Sequence, residues 1–408
     1  MKHKNLELLA PAGDLEKLKY AFAYGADAVY LGLPEYSLRA KTGFNFLDLK
    51  NGIDYAHQLK KRVYVTINIF AHEKHLDNLP KFLKQLKQCR PDAVILSDPG
   101  VLLVVKKYLP RVAIHLSTQA NTLNSEAVKF WQKNGVSRII LGREASLADI
   151  KKIHQAVPKM ELEVFVHGAM CMSYSGRCYL SSWMSNRSAN EGLCTQPCRF
   201  EYQLYAEEKM RPGELMPIEE DGENMYIFNS RDLCLIEYLN ELIKVGVKSF
   251  KIEGRTKSIY YTSTVVKAYR RVLDNLGNKK ILVEVKKELQ KIDNRGYTTG
   301  FLIGYESGLS RQEFKTSKTK SDWQFVGEII KSNKRGLVAF RVHNVWRVGE
   351  IVELLTPKKC SKIRIKEFLD NNHQKLKEVH GGTDNVYYFK LSDNTKLDFG
   401  LLRKNNSL

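Results

Sequence analysis

The 408-residue chain predicts an α/β protein: a closed (β/α)8 barrel of the TIM type, interrupted by a long cysteine-bearing insertion between strands seven and eight and followed by a small C-terminal all-β barrel module. Three observations carry that expectation. Short apolar runs alternate with amphipathic helical segments over residues 1–254. Eight such runs occur. Beyond Trp323 the pattern changes to short strands and tight turns.

The eight runs are LELLA (6–10), DAVYLG (27–32), VYVTINIF (63–70), DAVILSD (92–98), VAIHLST (112–118), RIILGRE (138–144), LEVFVHG (162–168) and VKSFKIEG (247–254). Most are apolar on both faces, as parallel strands covered by helices on both sides must be. Helical segments such as DLEKLKYAFAYGA and SEAVKFWQKNGV lie between them, and several finish on glycine just before the next strand. Eight units of this kind close into a barrel. An open doubly wound sheet is the other arrangement, but its GxGxxG after the first strand is missing; APAGD stands there.

Seven units fill residues 6–168 and the eighth strand waits until 247, so the barrel spans 1–310 with an insertion at 169–246. That insertion leaves the C-terminal end of strand seven, which puts it over the face where barrel active sites form. Residues 323–408 form the β module, a shape suited to RNA binding or to packing.

The formal charge of +20 is unevenly spread. Residues 1–254 carry 34 Lys and Arg against 29 Asp and Glu; residues 255–408 carry 31 against 16. A cationic last third points to a polyanionic partner. The N-terminal MKHKNLELLAPAGD lacks the apolar run of a secretory signal, and no stretch has the ~18 apolar residues of a membrane span. A soluble, cytoplasmic protein with reduced cysteines is the expectation.

Five of the seven cysteines, Cys171, Cys178, Cys194, Cys198 and Cys234, fall in that insertion. Their irregular spacing lacks the paired CxxC knuckles of zinc ribbons and the CxxxCxxC loop of radical enzymes. A four-cysteine cage for a 4Fe-4S cluster fits best; zinc and unligated thiols are the alternatives.

The strand ends converge polar side chains on one rim: Asp14, Glu35, Asn68, Ser97, Asp98, Ser117, Gln119, Asn121, Arg143, Glu144, His167, Glu253 and Arg255. Arg143 and Arg255 suit a carboxylate. His167 and Glu253 are the proton-transfer candidates. Asn68, Gln119, Asn121 and Glu144 are candidate substrate contacts, and Tyr36, Phe44, Tyr174 and Trp183 candidate stacking surfaces for a base. Neither HExxH nor GxSxG occurs, so a peptidase reading rests on a His167–Cys171 dyad.

EVFVHGAMCMSYSGRCYLSS (163–182), with LLAPAGD, DAVYLG, HLSTQAN, GLCTQPCR and KIEGR in order, resembles the collagenase-like peptidase family U32 along the whole chain. Within it the sequence is most similar to the tRNA hydroxylases. The resemblance implies hydroxylation of a tRNA wobble uridine to 5-hydroxyuridine, with prephenate or a similar small dicarboxylate as co-substrate and oxygen source. It also implies an oxygen-sensitive 4Fe-4S cluster on Cys171, Cys178, Cys194 and Cys234, with Cys198 as a fifth candidate. A peptidase and a non-catalytic RNA-binding protein are the alternative functions.

Overall fold

The computed structural model describes residues 6–38, 43–171, 173–200, 202, 205–217, 230–304, 321–333, 336–382, 385–391 and 397–406. Eight parallel strands close into a barrel: β1 (Glu7–Pro11), β2 (Ala28–Gly32), β3 (Arg62–Ile67), β4 (Ala93–Leu96), β5 (Ala113–Leu116), β6 (Arg138–Ile140), β7 (Glu161–Ala169) and β8 (Val247–Ile252). Each pairs with the next in parallel register through β7; β8 then pairs with both β7 and β1 and closes the ring.

Helices start where side chains can satisfy their first amide groups. Asp14 accepts from Lys17 N at 2.8 Å and caps Leu15–Ala23. Asp98 accepts from Val101 N at 2.9 Å, ahead of Pro99, and caps Pro99–Tyr108. Both aspartates end strands in the sequence, but they serve the helices rather than the rim. Ser146 and Asp149 form a reciprocal capping box on Leu147–Ala156.

β7 is nine residues long, and its length explains how the insertion is seated. Its lower part is paired by β6 and β8. Its upper end takes a short return strand, Asp232–Cys234, in antiparallel register, with Cys234 opposite His167. The insertion therefore leaves β7 and comes back to lie against it.

The C-terminal module is an eight-stranded antiparallel sheet, with a separate two-stranded ribbon, around its own core of Val326, Phe340, Trp346, Phe368, Phe389 and Leu402. Among the described residues its two end strands do not pair with each other. The module docks on the last barrel helix, Ile259–Leu273, where Tyr260 stacks flat on Phe325 at 5.3 Å between ring centres. Tyr24 donates to the carbonyls of Leu355 (2.9 Å) and Phe399 (2.8 Å). Arg403, 0% exposed, pairs with Glu288 of the barrel and Glu353 of the module. No helix among the described residues is long and apolar enough to cross a membrane.

Candidate active site at the barrel mouth

Alternate residues of a strand face the barrel interior, and on these strands several are charged. In the lower half, Glu7 meets Arg138 at 2.5 Å and accepts from Tyr64 (2.6 Å) and Ser249 (2.9 Å). Arg138 reaches Glu163 at 3.1 Å, and Glu163 accepts from Lys251 at 2.9 Å. Burial works to raise the Glu163 carboxyl, but Lys251 and Arg138 outweigh it and hold it below the usual carboxylate range. Burial lowers Lys251 from its ordinary value, with Glu163 opposing. Sequence reasoning missed this network. The signal was the parity of Ser249, Lys251 and Glu253 on the last strand, which puts all three on one face.

Above that network, two rings connect three cations. Lys251 lies 4.4 Å from the Tyr30 ring centre and 5.3 Å from that of Phe165. Arg143 lies 4.2 Å from the Phe165 ring centre, and Arg255 approaches Tyr30 at 5.6 Å. Arg143 meets Glu253 at 3.4 Å. Arg255 donates to Ser37 Oγ and, at 3.0 Å, to Thr66 Oγ1. Gly32 makes room for that contact, since a Cβ there would lie 2.3 Å from both hydroxyl oxygens. Arg143, Glu253 and Arg255 are thus brought together, Arg255 the deeper of the two arginines.

Asn68 donates to Gln119 Oε1 at 2.8 Å; Gln119 returns a bond to the Asn68 carbonyl at 2.6 Å and accepts from Ser117. Asn121 and Glu144 take a different role from the one expected. Glu144 accepts from the Ser175 amide at 2.8 Å, and Asn121 donates to the Ser175 carbonyl at 3.3 Å. Both hold the Cys171–Cys178 loop down on the mouth, Asn121 through its Nδ2. Gly176, at φ +73°, allows that approach: a Cβ would stand 2.0 Å from Gln119 Cγ.

Three buried polar atoms around the mouth have no hydrogen-bond partner among the described residues: Arg143 Nε, Asn68 Oδ1 and Asn121 Oδ1. Buried polar atoms are normally satisfied; others without a partner among the described residues lie away from the mouth, at His115 Nδ1 and Trp346 Nε1.

His167 is not part of this rim. It is 1% exposed and boxed by the rings of Tyr261, Tyr269 and Tyr297, at 6.0, 5.5 and 5.4 Å between centres. Burial, with a smaller contribution from Lys257, lowers its imidazole to about 3. A neutral, sealed ring is no proton carrier for the mouth. Its hydrogen-bond contact is Tyr269, at 3.4 Å, so the His167–Cys171 dyad does not form.

Burial raises the Cys198 thiol; Arg199 opposes, and the thiols of Cys171, Cys194 and Cys178 add to the rise. The Cys234 sulfur lies 3.9 Å from the Tyr269 hydroxyl, and burial pushes that thiol up to about 11. The return strand pairs Cys234 with His167 and so brings it to Tyr269. Cys194 Sγ accepts from the Gln196 amide at 3.4 Å. Among the described residues, no three His, Cys, Asp or Glu side chains are gathered closely enough to hold a single metal ion.

The aromatic candidates divide by exposure. Tyr36 and Phe44 are buried in the barrel layer, whereas Tyr174 (68%) and Trp183 (77%) stand open on the insertion. Glu35 lines a separate cavity of about 520 Å³ with Lys74, His75 and Lys81.

Comparison with known proteins identifies the lineage. Peptidase family U32 matches residues 13–312, and the peptidase family U32 C-terminal domain matches residues 321–403. The chain belongs to peptidase family U32. It is 39% identical to the tRNA hydroxylation protein P of Escherichia coli K12 over 441 residues, covering 98% of this chain and 97% of that one. It is 36% identical to the 23S rRNA 5-hydroxycytidine C2501 synthase of the same organism over 269 residues, covering 66% and 39%. The Collagenase of Porphyromonas gingivalis W83 is 29% identical over 375 residues, covering 88% of each chain. The U32 chain thus has relatives named for RNA hydroxylation and others named for proteolysis.

Proposed function

We propose that this U32 chain is an RNA-modifying hydroxylase that acts at carbon five of a tRNA wobble uridine, with prephenate or a similar dicarboxylate as co-substrate and oxygen source. The full-length similarity to a tRNA hydroxylation protein supports the RNA class. The observation in the site that carries the reading is the trio of unsatisfied atoms at the mouth. Two amide oxygens, of Asn68 and Asn121, suit the N3–H of a uracil. One guanidinium N–H, of Arg143, suits a carboxylate or a uracil carbonyl.

The roles of the residues follow from their positions. Arg143 binds the anionic co-substrate, with Lys251 and Arg255 adding positive potential from beneath. Glu253, in contact with Arg143, is the carboxylate placed to take a proton as the base changes. Tyr174 and Trp183 offer exposed ring faces to an unstacked nucleotide. The Ser175 clamp keeps the thiol loop over the mouth.

Cys171, Cys178, Cys194 and Cys198 would hold the cofactor. Four thiols, with a backbone amide donating to one of them, form a donor set typical of iron–sulfur clusters. One zinc ion would require all four sulfurs at ~2.3 Å from one centre; a cluster spreads its thiolates over separate irons. Such a cluster supplies redox or Lewis-acid chemistry at the mouth.

A peptidase is the second reading, favoured by the Porphyromonas gingivalis relative. It needs a thiolate with a depressed pKa or an activated hydroxyl. Cys198 and Cys234 are shifted the other way. Nucleoside analysis of tRNA from a strain lacking the gene separates the two. The hydroxylase reading expects 5-hydroxyuridine derivatives to disappear and to return with the wild-type gene but not with Arg143→Lys. Unchanged nucleosides rule out the substrate assignment.

A further inference from the structure

Where the last barrel helix, Ile259–Leu273, and the following helix, Lys279–Leu289, meet the C-terminal module, a cleft of about 570 Å³ opens. Six cationic side chains line it, Lys267, Arg271, Lys287, Lys291, Lys358 and Lys359, against two carboxylates, Glu284 and Glu288. Its walls also include Ala268, Val285 and Leu355. The cations are not equivalent. Arg271 is tied to Glu284 at 2.7 Å, and Lys291 to Glu288 (2.9 Å) and Glu353 (3.0 Å). Lys267 donates to the Thr356 carbonyl at 2.6 Å and is half-buried, and burial lowers its ammonium to about 8. Lys287 and Lys358 are exposed, and among the described residues neither meets a carboxylate.

An interdomain cleft with more positive than negative groups and a narrow apolar wall concentrates field lines and draws anions. Among the described residues two of its lysines meet no carboxylate, which leaves them open to an outside anion. The cleft also lies along the same helix that starts at the mouth. From Ile259 to Lys267 that helix descends roughly 12 Å at 1.5 Å per residue, so the cleft stands beside the mouth rather than in it.

We propose that this interdomain cleft grips the phosphodiester backbone of the RNA substrate, remote from the reacting base. The inference rests on the RNA-hydroxylase reading and deepens it: the module's place against the barrel creates the grip, and Lys287 and Lys358 are its phosphate contacts. Phosphate contacts of this sort position an RNA without reading its sequence.

The test uses the full chain and full-length tRNA, with Kd measured by filter binding across a salt series. Lys287→Gln/Lys358→Gln is expected to weaken binding about tenfold and to lower the salt-dependence slope by about two, one per lost contact. Its melting temperature should stay near wild type, since both side chains are exposed. Unchanged affinity and slope overturn the proposal. A chain that binds no tRNA even as wild type overturns instead the RNA reading on which it rests. Photo-crosslinking of the wild-type chain to tRNA, with adducts mapped by mass spectrometry, provides a readout independent of variant folding. Adducts on residues 279–291 and 356–360 support the grip, and their absence while other segments crosslink contradicts it. Inorganic pyrophosphate is the control: if the double variant loses pyrophosphate binding but keeps tRNA affinity, the cleft serves a free phosphate compound and the proposal fails.

Discussion

The lower and upper halves of the barrel interior use the same residue types and differ in how completely they are paired. Below, Glu7, Arg138, Glu163 and Lys251 form a closed set in which each charge meets an opposite one. Above, Arg143 meets Glu253 at only 3.4 Å, and three buried polar atoms stand unmatched. A charge inside a barrel is therefore no sign of catalysis by itself. In the proposed reading the lower network holds strands together, and the upper one receives a ligand.

That contrast can be broken most forcefully from below. Glu163→Gln leaves Lys251 and Arg138 buried without their shared counter-charge, and we expect a loss of about 3–5 kcal/mol in urea unfolding. Glu253→Gln, its counterpart above, should cost under about 1 kcal/mol while abolishing hydroxylation. Equal stability losses would erase the distinction between the halves.

The next effect sharpens it through pH. His167 is neutral in the fold, lowered to about 3 by burial, whereas in the unfolded chain it takes a proton near its ordinary value of about 6.5. Between these values the unfolded state binds the extra proton, so stability falls as pH drops through that window, by roughly 5 kcal/mol at full extent. His167→Phe should flatten this part of the stability–pH curve. His167→Gln should keep most of the hydroxylase activity, as a group outside the mouth must; loss of activity with intact folding would return His167 to the site.

Smaller effects follow. Arg143→Lys keeps the charge but removes the fork and the unmatched Nε–H, and we expect kcat/KM to fall about 10–100-fold with little change in Tm. A rate within twofold of wild type would remove Arg143 from binding. Tyr24→Phe deletes the two bonds to the module, at Leu355 and Phe399, and should cost about 1 kcal/mol in unfolding.

The alternation of apolar runs and helices made the barrel legible, because strands buried on both faces cannot hide their hydrophobicity; the eight runs stand within a few residues of the eight strands. The rim was legible in part. Arg143, Glu253, Arg255, Asn68 and Gln119 do gather there, since the C-terminal ends of parallel strands all open on one face. What linear order concealed was contact across the ring. Nothing in the spacing says that Glu144 and Asn121 reach Ser175, or that Asp14 and Asp98 serve helix amides. Nor can spacing reveal that the insertion returns antiparallel on β7, which carries Cys234 to the Tyr269 hydroxyl.

The proposed use of Cys198 in place of Cys234 makes the site directly measurable. Iron and acid-labile sulfide in anaerobically purified protein should amount to about four of each per chain in wild type. Both should persist in Cys234→Ala and be lost in Cys198→Ala. Iron retained by Cys198→Ala and lost from Cys234→Ala, or one zinc with no sulfide in wild type, would contradict the placement of a cluster over the barrel mouth.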